Sequence, residues 1–192
     1  LSDRRQRQMC IRDSLITGLF ESKNVRLLSG ILPPEFYSVY DNKNDCPLGL
    51  NCFKDFQSGK EYAIEKDKII LLDFTGWACA NCRRMEENVW SKSEIFNMLD
   101  SEFVIISLYV DDRSQLSPKD EFKYLNKTGN IQYINNVGRR WSLFQQINFS
   151  NASQPYYVAM TPSGRILTEP IQYVSQENFK NWLRSSIDES NK

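Results

Sequence analysis

Two runs of apolar residues, Ile69-Ile70-Leu71-Leu72 and residues 103–110, have the length of strands and no regular polar face. That is the pattern of strands covered on both sides. Between them, residues 79–89 and 93–99 read as helices. A strand, a helical crossover and a second buried strand predict a parallel pair with a right-handed connection. Upstream, Phe56, Tyr62, Ala63 and Ile64 give 53–66 a loose helical face despite Gly59. Downstream, the pattern predicts helices over 118–125 and 137–146, the second carrying Trp141, Phe144 and Gln145. A strand follows at 156–160. Thr161-Pro162-Ser163-Gly164 then makes a turn, and 165–168 returns antiparallel as a hairpin. Residues 176–187 close the chain as an amphipathic helix with Phe179, Trp182, Leu183 and Ile187 on one stripe. The expected class is α/β with a small mixed sheet flanked by helices, preceded by an N-terminal extension.

Composition narrows the chemistry. The chain has 192 residues, 41% hydrophobic and 25% charged, enough for one real core. Lysine plus arginine equals aspartate plus glutamate at 24 each, so no general electrostatic footprint for nucleic acid exists. There is no histidine. Ser-His-Asp and Cys-His catalysis are thereby excluded, with every metal site that needs imidazole. Five cysteines are the obvious reactive inventory.

The N-terminal region is read in two pieces. Residues 1–14, rich in arginine and glutamine, have no useful periodicity, and Arg4 to Ser14 resembles one translated frame of a sequencing adaptor. They are expected to be an artefact or a disordered tail and are set aside. Without Arg4 to Ser14, which hold four arginines and one aspartate, the net charge falls from zero to −3. Residues 15–52, with Pro33-Pro34 and the polar run Asp41-Asn42-Lys43-Asn44-Asp45, read as a linker. Residues 53–192 are the expected folded domain. No stretch approaches the roughly 20 apolar residues needed to cross a bilayer.

The sulfur chemistry centres on Trp77-Ala78-Cys79-Ala80-Asn81-Cys82, which follows a buried strand and opens a helix. At a helix start, positions i and i+3 are close enough for a disulfide. The free N–H groups and helix dipole favour a thiolate on Cys79. Cys82, one turn deeper, is placed to attack a mixed disulfide formed by Cys79. The competing reading is half a zinc site, which lacks a second ligand pair at recognisable spacing. Asp73, on an otherwise apolar strand, either exchanges a proton with Cys82 or caps the following turn. Glu86 shares a helix face with Cys79 and Cys82, or is simply a solvated helix glutamate. Arg83 and Arg84 add positive potential nearby, or are exposed arginines without a role.

The segment Leu71-Leu72-Asp73-Phe74-Thr75-Gly76-Trp77-Ala78-Cys79-Ala80-Asn81-Cys82-Arg83-Arg84-Met85-Glu86 resembles the active-site segment of thioredoxin-fold proteins. More narrowly, it resembles the C-terminal periplasmic domain of bacterial thiol:disulfide interchange proteins of the DsbD type. The resemblance implies that Cys79 is the nucleophile and Cys82 the resolving thiol, with Asp73 and Glu86 tuning protonation. It matches Ser153-Gln154-Pro155-Tyr156-Tyr157 to the family's cis-proline segment, so Gln154, Pro155 and Trp77 are expected to bind substrate. Leu28-Ser29-Gly30-Ile31-Leu32-Pro33-Pro34 resembles the link that follows the family's membrane part. Two departures stand out: Ala78 separates Trp77 from Cys79, and Ala80-Asn81 replace the Gly-Pro of thioredoxin itself. A reduction potential therefore does not transfer.

In the oxidising periplasm that the resemblance implies, Cys46 and Cys52 are expected to form a structural disulfide closing a short loop. The implied activity is a protein-disulfide reductase that relays electrons from a membrane-embedded cysteine pair of the same parent protein to periplasmic disulfide partners. Cytochrome maturation factors are among the partners compatible with the family. No dissociable cofactor and no metal are expected. The alternatives are a disulfide oxidase or isomerase of the same fold, and a non-catalytic interaction module.

Overall fold

The computed structural model describes residues 46–126 and 128–192. The expectations for residues 1–45, including the adaptor-like run and most of the linker, lie outside them. A 3-10 turn, Pro47–Gly49, leads into the short strand β1 (Cys52–Phe53) and helix α1 (Phe56–Lys66). Strand β2 (Ile69–Thr75) follows, then α2 (Ala80–Met85), which continues as a single π-helical stretch, Glu86–Trp90. Helix α3 (Ser93–Glu102) returns the chain to β3 (Phe103–Tyr109). A separate pair, β4 (Phe122–Leu125) and β5 (Ile131–Ile134), precedes α4 (Val137–Phe149), β6 (Tyr156–Met160) and α5 (Gln176–Ser190).

The central sheet has the order β1-β3-β2-β6. β2 runs parallel to β3 with Ile69 beside Phe103 and Thr75 beside Tyr109, and antiparallel to β6 with Phe74 beside Tyr156. The two apolar runs are thus the buried parallel pair that their composition predicts. Every residue of both strands is buried. Their alternate residues feed two cores. Ile69, Leu71, Phe103 and Ile105 pack with Met85, Trp90, Leu99, Phe179 and Leu183 beneath α2, α3 and α5. Ile70, Leu72, Phe74, Val104, Ile106 and Leu108 pack with Ala63, Trp141, Tyr156 and Val158 beneath α1 and α4.

Several expectations need correction. No helix forms over 118–125; Phe122–Leu125 is a strand paired antiparallel to Ile131–Ile134. The reason lies in the turn that follows, where Asn126 Oδ1 accepts from the N–H groups of Thr128 and Asn130 and Gly129 takes φ +82°. That asparagine-and-glycine turn closes a hairpin and overrides the weak helical reading. The 161–164 turn forms, but the returning segment makes only a single bridge, Met160 to Ile166, and no regular strand. The first helix starts later than residue 53, because Asp55 accepts from Ser58 N–H as its N-cap and Phe53 belongs to β1. Ile64 does not join its buried face and is exposed. Among the described residues, no helix is long and apolar enough to cross a membrane.

Candidate redox site

The site grows from the C-terminal end of β2. Gly76 faces the Asp111 carboxylate, and a Cβ there would lie 2.9 Å from Asp111 Oδ2. Asp111 is held this close because its two oxygens accept from Trp77 N–H at 2.8 Å and Ala78 N–H at 2.9 Å. The loop is thereby fixed one residue before Cys79. Cys79 is the N-cap of α2 with extended backbone, and Cys82 N–H donates to its Sγ at 3.2 Å. The two cysteines are disulfide-bonded, with Cα atoms 5.3 Å apart. Cys79 is half-buried, whereas Cys82 is 1% exposed. A partly exposed cysteine at a helix start and a sheltered one a turn deeper is the asymmetry that stepwise exchange requires.

Between the sheet and α2 lies a cluster of buried polar side chains. Period two along the strands explains its position: Asp73 and Thr75 continue the face of Ile69 and Leu71, and Ser107 and Tyr109 continue that of Phe103 and Ile105. Helix α2 and its π-helical continuation cover this face and contribute Arg83 and Glu86 respectively, both buried. Ser107 Oγ donates to Asp73 Oδ2 at 3.1 Å, and Asp73 Oδ1 has no hydrogen-bond partner among the described residues. Arg83 Nη1 donates to Glu86 Oε2 at 2.6 Å, and Nη2 donates to Thr75 Oγ1 at 3.1 Å.

Burial pushes the Asp73 carboxyl up to about 7, although the Arg83 charge and the Ser107 hydroxyl pull it back. Burial likewise pushes Glu86 up to about 8, against the pull of Arg83 and with a further push from Asp73. The Tyr109 and Tyr157 phenols are raised mainly by burial and stay neutral.

The Gln154–Pro155 peptide bond is cis. Because Tyr156 pairs with Phe74, Pro155 lies at the end of the sheet where β2 gives way to the Cys79 loop. Gln145, fully buried on α4, supports this segment: its Nε2 donates to Ser153 O at 2.9 Å, and its Oε1 accepts from Gln154 Nε2 at 3.1 Å. The Trp77 ring stacks on Tyr109, with centroids 3.9 Å apart, and Lys54 Nζ lies 5.2 Å from the Trp77 ring centroid. Cys46 and Cys52 form a second disulfide, with Cα atoms 5.8 Å apart, at the entry to β1.

The structure therefore brings Asp73, Trp77, Cys79, Cys82 and Glu86 to one region, with Pro155 just before the adjacent strand β6 and Cys46–Cys52 at the sheet edge. Asp73 caps no turn and Glu86 is not solvated; both are enclosed. Reading Arg83 as an exposed arginine is corrected, since it is 3% exposed. Sequence reasoning also gave no role to Thr75, Ser107, Tyr109, Asp111 or Gln145. Strand parity could have found the first three, because each shares the face of Asp73.

Residues 51–133 match a family model described as thioredoxin-like. A solution structure of a thioredoxin from Thermus thermophilus superposes with a TM-score of 0.52 at 16% identity, covering 73% of this chain and 89% of that one. The fold is thioredoxin-like. A structure titled DsbH oxidoreductase has a TM-score of 0.50 at 15% identity, covering 79% of this chain and 95% of the other. The reduced C-terminal domain of DsbD from Neisseria meningitidis gives 0.45 at 16% identity, covering 70% and 98%. No curated protein matches the sequence. On this thioredoxin-like scaffold, Cys79–Cys82 occupies the turn between β2 and α2.

Proposed function

We propose that the protein is a thiol–disulfide oxidoreductase whose redox centre is the Cys79–Cys82 pair. The observation that carries this reading is the half-buried Cys79 capping α2 through its sulfur and disulfide-bonded to a sheltered Cys82 at the end of β2. In the reducing direction, the Cys79 thiolate attacks a substrate disulfide, forms a mixed disulfide and releases one substrate thiolate. Cys82 then loses its proton and attacks the Cys79 sulfur. The Cys79–Cys82 bond forms and the second substrate thiolate leaves. Two electrons and two protons pass to the substrate, and no dissociable cofactor enters the balance.

The resemblance around Cys79 and Pro155 extends the reading to a reductase on the periplasmic side of a membrane. It would be recharged by a membrane-embedded cysteine pair of the same parent protein and would discharge to periplasmic thiol–disulfide proteins. In this reading Gln154, Pro155 and Trp77 form the surface on which the substrate chain lies, and Cys46–Cys52 is structural.

Cys79→Ser should abolish reduction of insulin disulfides with the circular dichroism spectrum unchanged; retained reduction overturns the assignment. The potential of the couple tests direction: a reductase falls near about −270 mV and an oxidase near about −120 mV.

A further inference from the structure

Arg83 is the one buried cation among the described residues, and it sits in the polar enclosure between the sheet and α2. A guanidinium is costly to bury and stays charged at any ordinary pH. This one is anchored by Glu86, by Thr75 Oγ1 and, at 3.5 Å, by the Gly76 carbonyl. Two acids share the enclosure with it. With both ionised, the three groups carry −1; with both protonated, +1; with one proton between them, zero. A low-dielectric enclosure favours the neutral state.

The other groups facing this trio are the neutral phenols of Tyr109 and Tyr157, and Glu87 from the next residue. Glu86 N–H bonds to the Cys82 carbonyl, which sets Glu86 one turn along the helix from the sulfur-bearing residue.

We propose that Arg83 is a positioning residue that keeps one of the two enclosed carboxyls ionised, so that a base is present to take the proton from Cys82 in the resolving step. This rests on the exchange chemistry proposed above. As the Cys82 S–H bond breaks, its proton goes to the carboxylate. The sulfur attacks Cys79 Sγ, and the electron pair of the Cys79–substrate bond leaves on the substrate thiolate, which is protonated by solvent. The Arg83 charge acts on both acids, lowering the proton affinity of each. Without it, burial would push both carboxyls further up, and less of the ionised acceptor would be present at neutral pH.

The test mixes reduced protein with 5,5′-dithiobis(2-nitrobenzoate) in a stopped-flow instrument across a pH series. Release of the first thionitrobenzoate reports attack by Cys79; release of the second reports resolution by Cys82. Arg83→Met should keep the first phase and slow the second about tenfold or more at neutral pH, moving its midpoint to higher pH. Arg83→Met leaves Glu86 buried without its cation and can fail to fold, so a neutral pair is compared as well. Relative to Glu86→Gln alone, the double variant Arg83→Met/Glu86→Gln should again slow the second phase about tenfold. A second phase in that double variant with the rate and pH profile of Glu86→Gln would overturn the proposal, showing that Arg83 only neutralises Glu86. Absence of the first phase in the unmodified protein would instead defeat the exchange chemistry itself.

Discussion

Replacing Asp73 with asparagine should stabilise the protein, and the gain should grow with pH. Asp73 sits on the central strand, 2% exposed, accepting one hydrogen bond from Ser107. Burial raises its carboxyl from the ordinary 3.8 to about 7. The folded state therefore holds the proton more tightly than the unfolded chain. That preference contributes stability fully present below about pH 4 and lost as pH rises through about 7. A shift of about three pH units corresponds to something on the order of 4 kcal/mol. Asparagine has nearly the same shape, still accepts from Ser107 and has no proton to lose. The Asp73→Asn protein should match the unmodified protein near pH 4 and exceed it by up to about 4 kcal/mol near pH 8. Urea unfolding at each pH, with the Cys79–Cys82 disulfide kept intact in both proteins, measures the difference. Asp73→Asn also removes the push that Asp73 exerts on Glu86, which adds to the gain at high pH rather than opposing it. A difference that is constant from pH 4 to 8, or that shrinks, refutes the picture of a carboxyl held protonated by burial.

Other outcomes follow from single contacts. Asp111→Ala removes the acceptor for the N–H groups of Trp77 and Ala78. It should cost about 1–2 kcal/mol and speed amide exchange at those two residues, with exchange in the core of β3 unaffected. Cys52→Ser opens a loop with a sequence separation of 6, and loop-closure entropy puts the loss near roughly 2 kcal/mol in the denaturation midpoint of oxidised protein. A Cβ on Gly138 would meet Val110 O at 2.6 Å and Asp112 N and O at 2.7 Å, all backbone. Gly138→Ala should therefore lower stability by about 1–3 kcal/mol in the same assay.

What the sequence made legible tracks how local each signal was. The parallel pair was readable because every residue of Ile69–Thr75 and Phe103–Tyr109 is buried, and all but Asp73, Thr75 and Ser107 among them are apolar or aromatic. Those three exceptions line the enclosed polar cluster. The closing helix was readable because Phe179, Trp182 and Leu183 recur at helical spacing and all are buried. The Cys79-x-x-Cys82 motif was readable because its chemistry depends on a strand-to-helix junction that the flanking pattern shows.

Long-range and compensating features stayed hidden. Asp111 lies 33 residues from Ala78 in sequence, and only the parallel register of β2 and β3 brings it to the loop. Arg83 reads as a surface arginine because arginine is rarely buried. Its burial depends on partners drawn from β2, the following loop and the continuation of its own helix. The hairpin β4–β5 escaped because its strands are short and mostly exposed, so tertiary burial leaves little alternation to read.

The central claim is that Cys79 is the attacking sulfur and Cys82 the resolving one. Reduced Cys82→Ser protein, mixed with insulin and analysed by mass spectrometry after peptide digestion, tests it most directly. The account predicts a trapped mixed disulfide between insulin and Cys79, and none when Cys79→Ser protein is treated in the same way. A mixed disulfide that accumulates on Cys82 in the Cys79→Ser protein, with none on Cys79 in its counterpart, would contradict it.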